Sequence, residues 1–261
     1  MSKFTTEDQI ETYNLELLDA LGYAYRHGAA LTPNSSPTGQ ETAQSLRARD
    51  NNGSAYQVES TIDRHNFSEV LLKHRLSQAI RRINPHIPPE IRDQAQRELQ
   101  NIASPDLISA NETFHNYLTG GITVEYQRDG ETGSETRGEQ LWLIDWDNLD
   151  NNEFLAVNQF TIIEDNHNRR PDIILFINGL PLVVIELKNA ADAQANLHTA
   201  YNQLQTYKRE IPSLFIYNAL LVISDGLSAR AGSLSANYNR FSQWKLSSRV
   251  PSPNPSQRLI L

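Results

Sequence analysis

Apolar residues first recur at helical spacing between Asp8 and Leu21 (Ile10, Leu15, Leu18, Leu21), and the pattern stops at Gly22, which reads as a helix closed by a glycine. The segment from Thr32 to Tyr56 is polar and rich in Ser, Asn, Gly and Pro, as expected of a mobile surface excursion. Three more helices are predicted: Asn66 to Ile83, Pro89 to Ile102, and Pro105 to Leu118, the last with Ser104 as N-cap and Gly120 as stop. The period then changes. "GITVEYQ", "LWLIDW", "FLAVNQFTII", "DIILFI" and "LVVIEL" are short, apolar or alternating, and rich in β-branched residues, which predicts strands. A long helix, Ala191 to Arg209, leads to a last strand near "LFIYNALLVIS", and "SSRVPSPNPSQ" reads as a linker. The expected organisation is a helical portion over 1–120, an α/β core over 121–246 and a linker over 247–261.

Composition narrows the chemistry. With 261 residues and 39% hydrophobic content the chain can bury a full core. There is no apolar leader and no stretch approaching the roughly 18 residues of a membrane span, so a cytoplasmic protein without membrane contact is expected. The absence of cysteine excludes disulfides, thiolate metal sites and a cysteine nucleophile, leaving oxygen or imidazole to hold any metal. Oxygen donors favour magnesium-like ions. A net charge of −8 argues against non-specific coating of nucleic acid but permits a local basic patch.

The most hydrophobic stretch, "RRPDIILFINGLPLVVIELKN", carries an Asp near one end and a Glu and a Lys at the other. Two apolar runs around Asn178-Gly179 predict a buried hairpin with a two-residue turn. Counting outward from that turn sets Asp172 opposite Ile185, one residue from Glu186. Alternation along the strand puts Glu186 and Lys188 on one face. Two converging carboxylates repel unless a cation lies between them, and either a divalent metal or Lys188 can supply that cation. By spacing alone, a hairpin whose charged ends reach solvent or pair with each other fits as well as a metal site.

Pro171-Asp172 followed by Glu186-x-Lys188 resembles the PD-(D/E)xK nuclease motif. The longer strings "FHNYLTGGITVEY", "LIDWDNLDNNEFLAVNQFTI", "AYNQLQTYKREIPSLFIYNALLVISDG" and "SARAGSLSANYNRFSQWK" resemble the N-terminal nuclease region of the R subunit of type I restriction-modification enzymes. The resemblance implies a restriction-endonuclease-like α/β fold, a mixed sheet flanked by helices. It also implies magnesium-dependent cleavage of double-stranded DNA, with manganese as a possible substitute. Asp172 and Glu186 would hold the metal, Lys188 would face the phosphate or the attacking water, and Gln203-x-x-x-Tyr207 would line the pocket edge from one helix face. A first-helix Glu, Glu11 in preference to Glu16, would complete the metal site. Arg169, Arg170, Lys188, Lys208 and Arg209 would offer a small basic surface to DNA, and methylation and specificity subunits would be partners. ATP would enter only through a translocase beyond the linker.

Other features are declined. Asp145, Asp147 and Asp150 lack the Gly and Glu of a calcium loop and read as a turn cluster. The seven His show no ligand spacing, and no Gly is followed by Lys, so no phosphate loop is present. Two alternatives to the restriction nuclease stand: a non-catalytic module docking the motor to partner subunits, and a stand-alone repair or recombination nuclease of the same superfamily.

Overall fold

A computed structural model of the chain describes residues 6–31, 63–130, 133–189 and 197–243. The predicted excursion at 32–56 and linker at 247–261 lie outside the described residues. Among the described residues are six helices: α1 (Glu7–Ala20), α2 (Lys73–Ile83), α3 (Pro89–Gln100), α4 (Leu107–Gly120), α5 (Leu197–Glu210) and α6 (Pro212–Ile216). The strands are β1 (Ala24–His27), β2 (Ile122–Gly130), β3 (Gly133–Leu141), β4 (Phe154–Asn158), β5 (Ile162–Glu164), β6 (His167–Arg169), β7 (Ile173–Ile177), β8 (Leu180–Leu187), β9 (Leu220–Ser224), β10 (Ala229–Gly232) and β11 (Ser242–Gln243). The fold is the expected mixed α/β one: a seven-stranded sheet in the order β1-β4-β7-β8-β9-β10-β11, with two separate hairpins, β2-β3 and β5-β6. No helix of the described residues is long and apolar enough to cross a membrane.

The centre of the sheet is where the sequence is most apolar. Every residue of β4, β7 and β8 is buried, as expected of strands covered on both faces. β8 pairs antiparallel with β7 and parallel with β9, and the crossover between β8 and β9 carries α5 and α6. β1, not predicted, pairs parallel with β4 at the sheet edge, and α1 packs on β1, β4 and β8. β1 thus joins the same sheet as the hairpin, and α1 packs against it.

The Asn178-Gly179 turn is formed as predicted, with both residues at positive φ (53° and 80°). It is not a surface turn. Asn178 is fully buried; its Oδ1 accepts from the Glu153 amide (2.9 Å) and its Nδ2 donates to Leu143 O (2.9 Å) and Asn152 Oδ1 (2.8 Å). Asn152 belongs to the Asp145 cluster, where Asp145 accepts from the Asn148 amide and the Asn151 side chain, both at 2.8 Å. These aspartate and asparagine groups brace the hairpin turn, in keeping with a turn cluster.

Five local expectations are corrected. "LWLIDW" is a loop beyond Leu141, because the Asn84 side chain takes both backbone groups of Trp142 (2.8 Å each) and Asp145 turns the chain. "FLAVNQFTII" is broken at Gln159 (φ 52°) into β4 and β5. "LFI" of the last predicted strand is helical, since Pro212 opens α6, and the strand starts at Leu220. The N-cap of α4 is Asp106, not Ser104, its Oδ1 accepting from the amides of Ile108 (2.9 Å) and Ser109 (3.0 Å). The helix predicted from Asn66 begins at Lys73, because Asn66 forms its own turn with the Ser68 and Glu69 amides and the Leu72 amide donates to Gly179 O (3.0 Å).

Candidate active site

The charged end of the hairpin is assembled by an irregularity in its pairing. Ile177 pairs with Leu180 and Phe176 with Pro181, but Leu175 pairs with Val183, so Leu182 is an extra residue on β8. The bulge advances the register by one. Ile173 now faces Ile185, and the next position along, Asp172, faces Glu186 itself and not Ile185 as the regular count gave. Asp172 Oδ2 accepts from the Leu187 amide at 2.7 Å, and its backbone carbonyl accepts from the Gln159 amide at 2.9 Å. These bonds fix its carboxyl over the end of β8.

Glu186 is completely buried. Its Oε1 accepts from Lys188 Nζ at 3.0 Å, as strand alternation predicts, whereas Oε2 has no hydrogen-bond partner among the described residues. Lys188 Nζ also donates to Leu187 O at 2.8 Å and lies 3.9 Å from Glu7 Oε1 on α1. Two of its three N–H bonds are used within the hairpin.

Charge is unbalanced here: Glu186, Asp172 and Glu7 surround the Lys188 ammonium, and Glu11 adds its charge on the Asp172 side. Burial raises the Asp172 carboxyl to about 6, with Glu11 and Glu7 adding to the rise against the Leu187 amide and Lys188. Glu186 is raised further, to about 8, by burial and then by Asp172. Burial opposes the Lys188 charge, but Glu186 and Asp172 outweigh it and its pKa rises. Near neutrality the metal-free carboxyl pair therefore holds a proton while Lys188 stays charged.

On α5, Gln203 Nε2 donates to Tyr207 Oη at 2.6 Å, so the residues four apart do share a face. The Tyr207 phenol is buried, and burial followed by the charge of Glu186 raises its pKa. Its hydroxyl thus lies within electrostatic reach of the hairpin carboxylates.

A sequence profile described as type I restriction enzyme R protein N terminus matches residues 4–240. The chain is 38% identical over 97% of its length to the type I restriction enzyme HindI endonuclease subunit of Haemophilus influenzae. The chain belongs to the type I restriction enzyme R protein N-terminal family. It is also 31% identical over 94% of its length to the MjaIXP sequence of Methanocaldococcus jannaschii. It is 37% identical over 52% of its length to the EcoprrI endonuclease subunit of Escherichia coli, covering 47% of that chain. This chain spans about a fifth (21%) of the length of the HindI and MjaIXP relatives.

Within this R-protein region the remaining predicted residues fall in distinct places. Glu16 is exposed, whereas Glu11 is half-buried and bonded to Asn158 and Gln159. Among the described residues no three Asp, Glu, His or Cys side chains are placed to hold a metal ion together, so Glu11 is not brought into a ligand set with Asp172 and Glu186. Arg169, on β6, is ion-paired with Glu210 beside Tyr207, and Arg170 and Arg209 are exposed. Lys208 turns inward, donating to Leu234 O at 2.6 Å, and burial lowers its pKa to about 8.

The donor chemistry fits an oxygen-seeking divalent ion. Two carboxyls face each other, one oxygen of the buried Glu186 has no partner among the described residues, and magnesium is commonly held by one or two carboxylates plus water. Sequence reasoning missed Glu7, Tyr25, Asn158 and Gln159 around this cluster. The signal available was "NQ" interrupting the apolar run "FLAVNQF", a polar break in a buried strand like the one that marked the hairpin.

Proposed function

We propose that this chain is the nuclease portion of a type I restriction enzyme R subunit, hydrolysing phosphodiester bonds of double-stranded DNA with magnesium, for which manganese can substitute. The observation that carries the reading is the fully buried Glu186, set against the Asp172 carboxyl and bonded through one oxygen to Lys188, with no N–H donor among the described residues for its other oxygen. A buried carboxyl left half-unsatisfied is costly in a fold that gains nothing else from it.

Asp172 and Glu186 would hold the ion. When bound, magnesium supplies charge stabilisation on the scissile phosphate and an acidified water. Lys188, anchored by Glu186 and the Leu187 carbonyl, keeps one N–H direction for a phosphate oxygen, and its raised pKa keeps it cationic. Gln203 orients the Tyr207 hydroxyl at the edge of the same cluster. Arg169 and Arg170 offer positive charge near that edge, but a chain of net charge −8 grips DNA weakly by itself. Methylation and specificity subunits, together with a motor outside these residues, would hold and move the DNA. ATP would act there, since no phosphate loop occurs in this sequence. A cytoplasmic location follows from that role.

The test is made in the assembled enzyme. Glu186→Ala and Lys188→Ala should each abolish DNA cleavage while leaving ATP-driven translocation at the wild-type rate. Loss of ATPase activity along with cleavage would show that the hairpin serves assembly and not chemistry.

A further inference from the structure

Glu11 reaches the sheet through two adjacent residues. Its Oε1 accepts from Asn158 Nδ2 at 2.6 Å and its Oε2 from Gln159 Nε2 at 2.5 Å. Neighbouring residues of an extended strand point to opposite faces, so two such bonds to one carboxylate require the strand to break. It does so at Gln159, whose φ of 52° lies in the left-handed region. Gly28 permits the conformation, because a Cβ there would meet Gln159 O at 2.3 Å. The Asn158 amide is oriented in turn: its Oδ1 accepts from Tyr25 Oη at 3.0 Å, which turns its NH2 toward Glu11. The backbone amide of Gln159 donates to Asp172 O at 2.9 Å, tying the same residue to the carboxylate pair.

An anchor between α1 and the sheet needs no negative charge. A glutamine could make comparable bonds without adding repulsion to Asp172 and Glu186, yet a carboxylate is fixed there by neutral amides. We infer that Asn158 and Gln159 are positioning residues that hold the Glu11 carboxylate beside the Asp172–Glu186 pair, where it attracts a divalent cation and its water shell without ligating the ion directly. The inference rests on the metal-dependent reading above. It accords with the absence of a three-carboxylate ligand set among the described residues and with the several waters magnesium retains.

Manganese titration calorimetry on this chain tests it, with thermal denaturation to verify folding. Glu11→Gln and Gln159→Asn should each weaken Mn2+ binding about three- to tenfold; asparagine tolerates the left-handed backbone but is one methylene shorter. The double variant should bind no more weakly than Glu11→Gln alone, because Gln159 acts through Glu11. Asn158→Ala should behave like Gln159→Asn. Wild-type affinity in Gln159→Asn, or losses that multiply in the double variant, would overturn the positioning role. Asp172→Ala separates the two levels: its loss of Mn2+ binding supports the site whatever Gln159 does, whereas wild-type binding by Asp172→Ala, or no binding by the wild type, removes both readings.

Discussion

Lys188 Nζ lies 3.0 Å from Oε1 of Glu186, and this contact joins an ammonium to a carboxyl with no exposure to solvent. Removing the ammonium strands the carboxyl, and the carboxyl's response depends on pH. With Glu186 raised to about 8, Lys188→Met at pH 6 leaves a group that is already mostly neutral and should cost little stability. Above pH 8 the same variant must either bury an unpaired charge or keep its proton, and the loss should grow. Denaturant melts of wild type and Lys188→Met at pH 6 and pH 8.5 check this; an equal loss at both values would contradict the pairing.

Stability of the metal-free protein should fall as pH rises from about 5 to about 8. Asp172 and Glu186 have folded pKa values above their unfolded ones, so in this window the folded state holds protons the unfolded chain has released. Their contribution is therefore most favourable at the acid end and is lost on the way up. The expected direction is a melting temperature that falls steadily toward alkaline pH. Melting temperatures in chelator should show a shallower pH slope for Glu186→Gln than for wild type. Parallel slopes would remove Glu186 as the source.

Gln203→Ala and Tyr207→Phe should each slow cleavage in the assembled enzyme by about tenfold or more. The lost Gln203 to Tyr207 hydrogen bond is worth roughly 1–3 kcal/mol if it positions a group in the transition state, and 1.4 kcal/mol is a factor of ten. Melting temperatures should barely change, since Gln203 is only partly buried and can turn to water. The opposite pattern, a lower melting temperature with unchanged cleavage, would make Tyr207 a packing residue.

Gly179→Ala should destabilise the fold by about 1–3 kcal/mol, the usual cost of holding a residue in a disfavoured region. Gly179 has φ 80°, and a Cβ there would meet Leu72 O at 2.6 Å and Leu76 N at 2.9 Å at the start of α2. Chemical denaturation measures the loss. Because the turn lies at the far end of β8 from Glu186, the folded variant should bind Mn2+ as the wild type does.

The sequence by itself determined the hairpin, the two central strands and most of the helices, because these follow from local quantities: an Asn-Gly turn, unbroken β-branched runs and helical periodicity with caps. It also marked Asp172, Glu186 and Lys188, since charge at the end of a buried run is visible without coordinates, and the spacing of Gln203 and Tyr207 gave their shared helix face. What the tertiary structure decided was long-range. The Leu182 bulge, which sets Asp172 against Glu186, arises in a stretch whose regular pairing would have been equally apolar. β1 is four residues without an apolar pattern and exists only because β4 offers it an edge. Lys208 and Arg169 look alike as basic residues, yet one donates inward to Leu234 O and the other pairs with Glu210, according to what packs beside them. The choice of Glu11 over Glu16 was open in the sequence because both lie on one helix; the fold separates them by bringing Asn158 and Gln159, nearly 150 residues away, to only one of the two. Local signals fix which elements form, whereas a site built across elements depends on register and on which side chains the packing turns inward.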